Sequence, residues 1–388
     1  MRIDRLEGYL LRLPLKRATR FCDETIDRLD TLVVRVVSDG LSGWGEAAPG
    51  NSPLLTSEWT GASFLALRDQ IAPRVLAEGA FGSCELLENS YARVRGARAA
   101  KSAVEIAWRD LTSRAQGLPL WKALGGEKKT IKVGLTFDRA VEREEFFTEL
   151  QRAVDDQFGR VSLKMRPGWD VQIVSFARVD YPSWLQLVVD VEGELDYEKH
   201  ADTLYRMDDF SLVCLEQPLN PRDFVAHAQL NQTIRTPICL DESILSLSDA
   251  DIAFDLESCD VVCLKPQRMG GLSECLRVAE LAEANDVACY VGADLQTSLG
   301  YRATLALASK SSITLPTDYM RFDELFDYDL VAPLTTTLVE EPADEKKGRP
   351  ARSFRRLELW DEPGLGAEPD LEELKKYAVD QFAFEREA

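Results

Sequence analysis

The chain has 388 residues, of which 45% are hydrophobic, so it can form one large domain or two domains with full cores. Its net charge of −20 argues against nucleic-acid binding. No apolar run approaches the roughly 18 residues that span a bilayer, and the N-terminal stretch lacks the apolar core of a signal peptide. The eight cysteines have no CxxC spacing, which predicts a cytoplasmic protein with reduced, buried thiols, including four in strand-like runs: Cys214, Cys239, Cys263 and Cys289.

Residues 1–125 predict a small α+β domain. Segments near 3–13 and 30–37 alternate like strands, and a polar loop between them carries Arg17 and Arg20. Most residues from about 57 to 124 have helical periodicity. This part of the chain is therefore expected to pair a short antiparallel sheet with helices.

Residues 126–325 predict a (β/α)8-type barrel, because short apolar strands alternate with helices. Residues 326–388 lose this alternation, and they are expected to pack back on the first domain. The charged stretch from Glu340 to Arg356 is predicted to be an exposed loop, followed by a short helix from about Asp370. The eight barrel strands are predicted near 131–136, 161–165, 187–190, 213–216, 238–241, 261–264, 288–291 and 312–315.

Five successive strands of this region end at an ionisable residue. Since parallel strands of a barrel present their carboxyl ends at one mouth, these side chains are expected to converge there. Three carboxylates at one place repel one another unless a cation lies between them, and hard oxygen ligands suit Mg²⁺. The candidate metal ligands are Asp190, Glu216 and Asp241, and the flanking lysines are Lys164 and Lys265.

The two lysines suit removal of a proton next to a carboxylate. A dication and a second ammonium favour the neutral form of an amine, so either lysine can serve as a base, while the metal stabilises the resulting enediolate. Glu242 is expected to orient a ligand or a lysine. The structural alternative is that each acid caps a helix or forms a salt bridge, and that each lysine is a solvated residue at the rim.

Motifs along nearly the whole chain support a family resemblance. They are GWGEA from Gly43, the helix and its PLW-containing end from Ala103 to Gly126, LKMRPGWD from Leu163, LDES from Leu240, LKPQRMGG from Leu264 and PGLG from Pro363. Together they resemble the enolase superfamily, and within it the muconate-lactonizing subgroup with its o-succinylbenzoate synthases and N-acylamino acid racemases. A lysine base with Mg²⁺ is the established chemistry of this superfamily.

The resemblance implies a modified (β/α)7β barrel under an N-terminal α+β capping domain that the C-terminal segment completes. It implies Mg²⁺, with Mn²⁺ as an alternative, a small carboxylate substrate, and no nucleic-acid or membrane partner; such barrel enzymes often form homo-oligomers. The expected reaction is o-succinylbenzoate synthase-like dehydration. The alternatives are N-acylamino acid racemisation, muconate-type cycloisomerisation, or a non-catalytic descendant that binds metal or carboxylate.

The chain departs from the family pattern around the lysines. Ser162 stands where the resemblance places a first, cationic lysine, and Glu192 replaces an asparagine after the first metal ligand. Gln296 replaces a glutamate of the seventh strand, for which Asp294 is the candidate substitute.

Substrate contacts are expected from the capping domain. The loops near Arg17–Asp27 and Asn51–Leu55 are predicted to cover the barrel mouth, where Arg17 or Arg20 would meet a substrate carboxylate.

Overall fold

The computed structural model describes residues 1–21, 24–137, 143–165, 171–343 and 350–387. Within these residues, no helix is long and apolar enough to cross a membrane. The cysteines predicted to be buried in strands are buried free thiols, which confirms that prediction: Cys214, Cys239, Cys263 and Cys289.

The capping sheet has four antiparallel strands in the order β14-β1-β2-β3. The predicted polar loop after residue 13 is wrong, because the hairpin continues through the pairs Thr19↔Ile26 and Phe21↔Glu24. Its described charged residues Lys16, Arg17, Glu24 and Asp27 are exposed, while Leu13, Leu15 and Ile26 are buried. The strands are β1 (Arg5–Phe21), β2 (Glu24–Ser38), β3 (Leu41–Ala47) and β14 (Ala378–Glu385).

Helices cover one face of this sheet. The longest, α4 (Arg98–Ala115), packs Ala103 and Ala107 so close to β3 that only glycines fit opposite them, at Gly43 and Gly45. The helical elements of the cap are α1 (Thr60–Ala66), a π-helical turn (Leu67–Ile71), α2 (Ala72–Ala77), α3 (Cys84–Tyr91), α4 and α5 (Leu120–Ala123).

Parallel strands build the barrel sheet, and the run from β4 to β10 pairs in sequence order, with β11 on the other side of β4. Seven predicted strands overlap the observed ones, but the eighth lies at Thr317–Tyr319 instead of 312–315. Thr314 and Leu315 instead donate to the carbonyl of Cys289 in the neighbouring strand. The strands are β4 (Thr130–Thr136), β5 (Arg160–Lys164), β6 (Gln186–Asp190), β7 (Cys214–Glu216), β8 (Ile238–Leu240), β9 (Val261–Leu264), β10 (Ala288–Val291) and β11 (Thr317–Tyr319).

Helices follow most of these strands and pack their apolar sides on the sheet, as expected for a parallel barrel. The helical elements are α6 (Arg143–Asp155), α7 (Val171–Asp180), α8 (Ala201–Arg206), a 3-10 turn (Met207–Phe210), α9 (Phe224–Thr233), α10 (Leu247–Asp255), α11 (Pro266–Met269), α12 (Leu272–Ala284), α13 (Ser298–Ala308) and α14 (Phe322–Leu325).

The C-terminal segment contacts both sheets. β12 (Thr336–Glu341) and β13 (Arg352–Glu358) form a hairpin, and β13 pairs antiparallel with β4, so the predicted exposed loop is wrong at both of its ends. After α15 (Leu371–Lys375), β14 pairs with β1 of the cap. The division of the chain near residues 125 and 325 stays a prediction.

Two buried carboxylates of the cap bind the N-termini of barrel helices. Glu46, from the GWGEA motif, accepts hydrogen bonds from the backbone N–H groups of Thr297 (3.0 Å) and Gly300 (2.8 Å) at the start of α13. Glu105 of α4 accepts from the N–H groups of Leu272 and Ser273 at the start of α12. Unpaired N–H groups and the positive end of the helix dipole both favour an anion at this position. These contacts hold the cap over the barrel mouth.

Gly45→Ala should destabilise the protein by about 2 kcal/mol or more, since the new methyl group would overlap the backbone oxygen of Ala103. Urea unfolding checks this loss. Gly79→Ala is the control, because a methyl group there meets no atom within 4 Å. Equal unfolding midpoints for the two variants would contradict the close packing of β3 on α4.

Candidate active site

The three candidate metal ligands lie together at the carboxyl end of the barrel. Asp190 ends β6, Glu216 ends β7, and Asp241 directly follows β8. All three are buried, with at most 3% of their surface exposed. Burial, and then the charges of Asp190 and Asp241, raise the pKa of Glu216 well above its usual range. The acids are therefore close enough to repel one another when ionised.

Lys164 lies at the end of β5 and forms ion pairs with two carboxylates. Its Nζ donates to Asp190 and, at 2.9 Å, to Oε1 of Glu192. Burial lowers the pKa of Lys164, but the charges of Asp190 and Glu192 outweigh it and raise that pKa well above its usual value. In this arrangement the amine is held as an ammonium ion.

Lys265 directly follows β9 and approaches the acids from the other side of the cluster. Its Nζ donates to Oδ2 of Asp241 at 2.9 Å and lies 3.6 Å from Oδ1 of Asp294. These two charges raise the pKa of Lys265 well above its usual value, although burial lowers it. The two lysines therefore hold opposite members of one acid cluster.

Arg268, which was not among the residues singled out from the sequence, is the third buried cation of the cluster. It lies on the short helix α11, donates to both carboxylate oxygens of Asp241, and lies 3.7 Å from Glu242. Burial raises the pKa of Asp241, but Arg268 and Lys265 outweigh it and lower that pKa well below its usual value. Its position within the LKPQRMGG motif, three residues after Lys265, was the signal that could have identified it.

Gln217 positions the backbone around Asp241. Its Oε1 accepts hydrogen bonds from the N–H groups of Asp241 (3.0 Å) and Ser243 (3.1 Å). Gln217 and Glu192 both have positive φ, at 37° and 53°. Such backbone strain at strand ends is typical of residues held for a functional purpose. Sequence reasoning missed Gln217 because this amide acts through tertiary contacts.

Three further residues predicted from the sequence are Ser162, Gln296 and Asp294. Ser162 is buried, and its hydroxyl has no hydrogen-bond partner among the described residues. Gln296 donates to Thr304 of α13 at 3.2 Å, so its amide is engaged within the start of that helix. Asp294, the candidate substitute, is the residue that approaches Lys265.

The predicted substrate contacts of the two cap arginines stay predictions. Arg17 lies 3.7 Å from Glu145 of α6, and about half of its side chain is exposed. The side chain of Arg20 and the PGWD motif at 167–170 lie outside the described residues. The contact described for Arg17 is therefore with Glu145, and the role of Arg20 stays a prediction.

The charge balance of the cluster fits a divalent cation. The described part of the chain places six carboxyl groups around three cations, Lys164, Lys265 and Arg268, which leaves an excess of negative charge when all are ionised. Glu216 and Glu242 each have one buried oxygen without a partner among the described residues. Burial, and then the charge of Asp241, raise the pKa of Glu242 well above its usual range. A divalent cation held by Asp190, Glu216 and Asp241 would neutralise most of this excess.

A cavity of about 660 Å³ lies between the cap and the barrel. The barrel contributes Glu242, Arg268 and Asp294 to its wall, and the cap contributes the loop that includes Leu54 and Leu55. The cavity thus reaches the acid cluster, and one of the two loops predicted to cover the mouth borders it.

A barrel with strand-end acids and lysines beneath an α+β cap defines an enzyme of the metal-dependent lyase and isomerase class. Residues 10–125 match the family model for the mandelate racemase/muconate lactonizing enzyme N-terminal domain, and residues 145–374 match that for the enolase C-terminal domain-like fold. The chain belongs to this mandelate racemase/muconate lactonizing enzyme family of the enolase superfamily.

Similar proteins agree with this assignment. The chain is 30% identical over 383 residues to an o-succinylbenzoate synthase from Bacillus subtilis, with 98% of each chain covered. It is 32% identical over 331 residues to an N-succinylamino acid racemase from Thermus thermophilus, covering 85% of this chain and 89% of the relative. A solved member of the enolase superfamily from Listeria innocua superimposes over the full length of both chains, with a TM-score of 0.88 and 27% identity.

Asp241→Asn should weaken Mg²⁺ binding by about tenfold or more, because it removes one charge from the proposed ligand set. Isothermal titration calorimetry measures the affinity, and circular dichroism checks that the variant folds. Asp202→Asn is the matched control, since that side chain is 89% exposed on α8. An unchanged Mg²⁺ affinity in Asp241→Asn would count against the ligand set.

Proposed function

We propose that the protein removes the proton α to the carboxylate of a small substrate, with Lys164 as the base, in an o-succinylbenzoate synthase-like dehydration. One observation carries this proposal: Lys164 and Lys265 bind opposite members of a single buried acid cluster. The likeness to an o-succinylbenzoate synthase over nearly the whole chain supports the choice of reaction.

The proposed cofactor is Mg²⁺, with Mn²⁺ as an alternative, held by Asp190, Glu216 and Asp241. When bound, such an ion supplies positive charge for the substrate carboxylate as negative charge develops on its oxygens. The same charge competes with Lys164 for Asp190, and it disfavours the ammonium form of the lysine beside it.

Each lysine has a distinct role in the dehydration. Neutral Lys164 accepts the α-proton on Nζ, and the ammonium formed returns that proton to the departing hydroxyl group, which leaves as water. Lys265 stays cationic because Asp241 and Asp294 hold it, and its charge stabilises the enolised carboxylate. The α-proton is removed and the hydroxyl group is protonated on the same side of the substrate, as a syn elimination requires.

Racemisation is the second candidate, and the position of Lys265 favours it. An amine on each side of the α-carbon could remove the proton from one face and return it to the other, and one relative of the chain is an N-succinylamino acid racemase. Muconate-type cycloisomerisation would use the same two lysines.

A non-catalytic descendant is the remaining alternative, and two departures around Lys164 favour it. Ser162 supplies no positive charge near this amine, and Glu192 adds a negative one at 2.9 Å. Both changes stabilise the ammonium form, which cannot accept a proton.

Lys164→Ala should abolish exchange of the substrate α-proton with solvent, because it removes the base while leaving a small side chain at the strand end. Deuterium uptake is measured by NMR in D₂O with Mg²⁺ and candidate acyl-amino acids, succinylbenzoate precursors and lactones. Lys199→Ala is the control, since that side chain is 77% exposed. Exchange retained in Lys164→Ala would show that another group is the base, and no uptake by the unmodified protein on any substrate would favour the non-catalytic alternative.

Two arginines on the cavity wall are proposed to bind a second anionic group of the substrate. Arg98 begins α4 of the cap, and Arg222 lies in the loop after β7 of the barrel. Neither guanidinium group has an ion-pair or hydrogen-bond partner among the described residues. Glu58, the acid near Arg98, accepts a hydrogen bond from its backbone N–H at 2.8 Å. The two arginines would meet the far end of a dicarboxylate whose near end lies at the acid cluster.

The acidic side chains of the same cavity are already engaged. Glu242 faces Arg268, and Asp294 faces Lys265. Asp249 accepts hydrogen bonds from the N–H of Leu245 (3.1 Å) and the hydroxyl of Ser246 (2.8 Å). The guanidinium groups of Arg98 and Arg222 therefore remain available for an anion.

Arg98→Gln and Arg222→Gln should each raise KM for a dicarboxylate substrate by about tenfold, the effect of losing one charge-assisted hydrogen bond of about 1.5 kcal/mol. The comparison substrate is the matched monocarboxylate, such as an N-acetyl in place of an N-succinyl amino acid, for which KM should change little. Arg95→Gln, exposed and outside the cavity wall, is the control variant. Equal changes in KM for both substrates would remove the arginines from distal recognition.

A further inference from the structure

A cysteine thiol lies beside the acid cluster. Cys263 is fully buried on β9, two residues before Lys265, so the two side chains leave the strand on the same face. A methyl group on Gly292 would overlap both of them, which shows that they lie side by side against this part of the backbone. The thiol sulfur and one carboxylate oxygen each of Glu216 and Asp241 all lie within 4.8 Å of one another.

Glu216 provides an independent indication of a ligand at this position. Only 2% of the residue is exposed, and its Oε2 has no partner among the described residues. A buried, unpaired carboxylate oxygen is costly unless a proton or a cation satisfies it. Asp241, in contrast, is held by Lys265 and Arg268, so an incoming cation would compete with these two groups for one of its oxygens.

We propose that Cys263 gives this centre a soft ligand, so that a thiophilic divalent ion such as Zn²⁺ or Cd²⁺ binds to its sulfur together with Glu216 and Asp241. Thiolate sulfur prefers such ions, whereas carboxylates alone suit Mg²⁺. Binding replaces the S–H bond of Cys263 by a sulfur–metal bond and releases one proton to solvent. No change in oxidation state is involved.

The thiophilic ion would share two carboxylates with the proposed Mg²⁺ site, so the two ions exclude each other. Zn²⁺ bound in this way takes the acids that the proposed reaction needs, and the protein becomes sensitive to inhibition by thiophilic metals. The geometry of Cys263, Glu216 and Asp241 supports this site, and metal binding can be measured without enzymatic activity.

A second group of ligand atoms must be separated from this one in any experiment. Cys84, Glu88 and Glu105 also offer atoms within 4.8 Å of one another. Glu105 already accepts hydrogen bonds from the N–H groups at the start of α12, which leaves it little capacity for a metal. Replacing Cys84 removes this group as a source of signal.

The experiment is a titration of the EDTA-treated Cys84→Ser protein with Cd²⁺. Binding is measured by the sulfur-to-cadmium charge-transfer absorption band in the ultraviolet. The band should saturate at one ion per chain, and excess Mg²⁺ should shift the midpoint to higher Cd²⁺ concentration. Adding Cys263→Ser should remove the band, whereas adding Cys275→Ser, a buried thiol in α12, should leave it unchanged. Glu216→Gln, which keeps the thiol, should weaken Cd²⁺ binding by about tenfold or more.

The proposal fails if the band is absent before Cys263 is replaced, if it persists after Cys263→Ser, or if Mg²⁺ has no effect on the midpoint. Circular dichroism of each variant separates loss of a ligand from loss of the fold. These outcomes are independent of α-proton exchange, so a protein without catalytic activity could still confirm the thiophilic site.

Discussion

The excess of buried negative charge at the carboxyl end of the barrel is the constraint on which the site depends. Ionised carboxylates removed from water are stable only when cations or hydrogen bonds compensate them. Among the described residues, Lys164, Lys265 and Arg268 compensate part of this charge, and Glu216 keeps an oxygen without a partner. A protein that keeps such an arrangement on rigid strand ends is organised to hold a further cation.

Buried carboxylates also attach the capping domain to the barrel. Glu46 and Glu105 are buried carboxylates that accept hydrogen bonds from backbone N–H groups at the start of α13 and α12, and Glu105 also pairs with Arg109. These helices follow the strand-end segments that carry Asp294 and Arg268. A shift of the cap would therefore move helices that support the walls of the cavity. The position of the cap and the geometry of the cavity wall are therefore linked through two helix N-termini.

Much of the barrel could be predicted because its signals are local. Each parallel strand is a short apolar run buried on both faces, and its last residue is the one that reaches the mouth. This is why the sequence alone predicts that Asp190, Glu216 and the two lysines lie at one end of the barrel. The predicted position of the eighth strand is wrong because the apolar run at 312–315 precedes β11. Thr314 and Leu315 in that run hydrogen-bond to Cys289 of β10 without forming the strand.

The features that sequence reasoning missed depend on tertiary contacts. Arg268 lies on α11, and its guanidinium group donates to Asp241. Gln217 accepts hydrogen bonds from two backbone N–H groups, and a sequence pattern does not show such contacts. The strands near 3–13 and 30–37 are predicted from their alternation, but the outer part of the hairpin between them resembles a polar loop because its exposed positions are polar and charged. Gln296, at the position of the family's seventh-strand glutamate, has an amide that donates to Thr304 of α13, a contact that the sequence pattern does not show.

The surroundings of Lys164 determine how strongly the proposed base depends on a bound cation. With serine at position 162 and a carboxylate at 192, Lys265 is the cation among the described residues that most strongly opposes protonation of this amine. Asp190 is its strongest charge partner, and Asp190 is also a proposed metal ligand. A cation bound at that carboxylate would weaken the ion pair of Asp190 with Lys164, and the neutral amine would then be available for the proposed role as base. In this chain the cation would thus prepare the base as well as stabilise the product of proton removal.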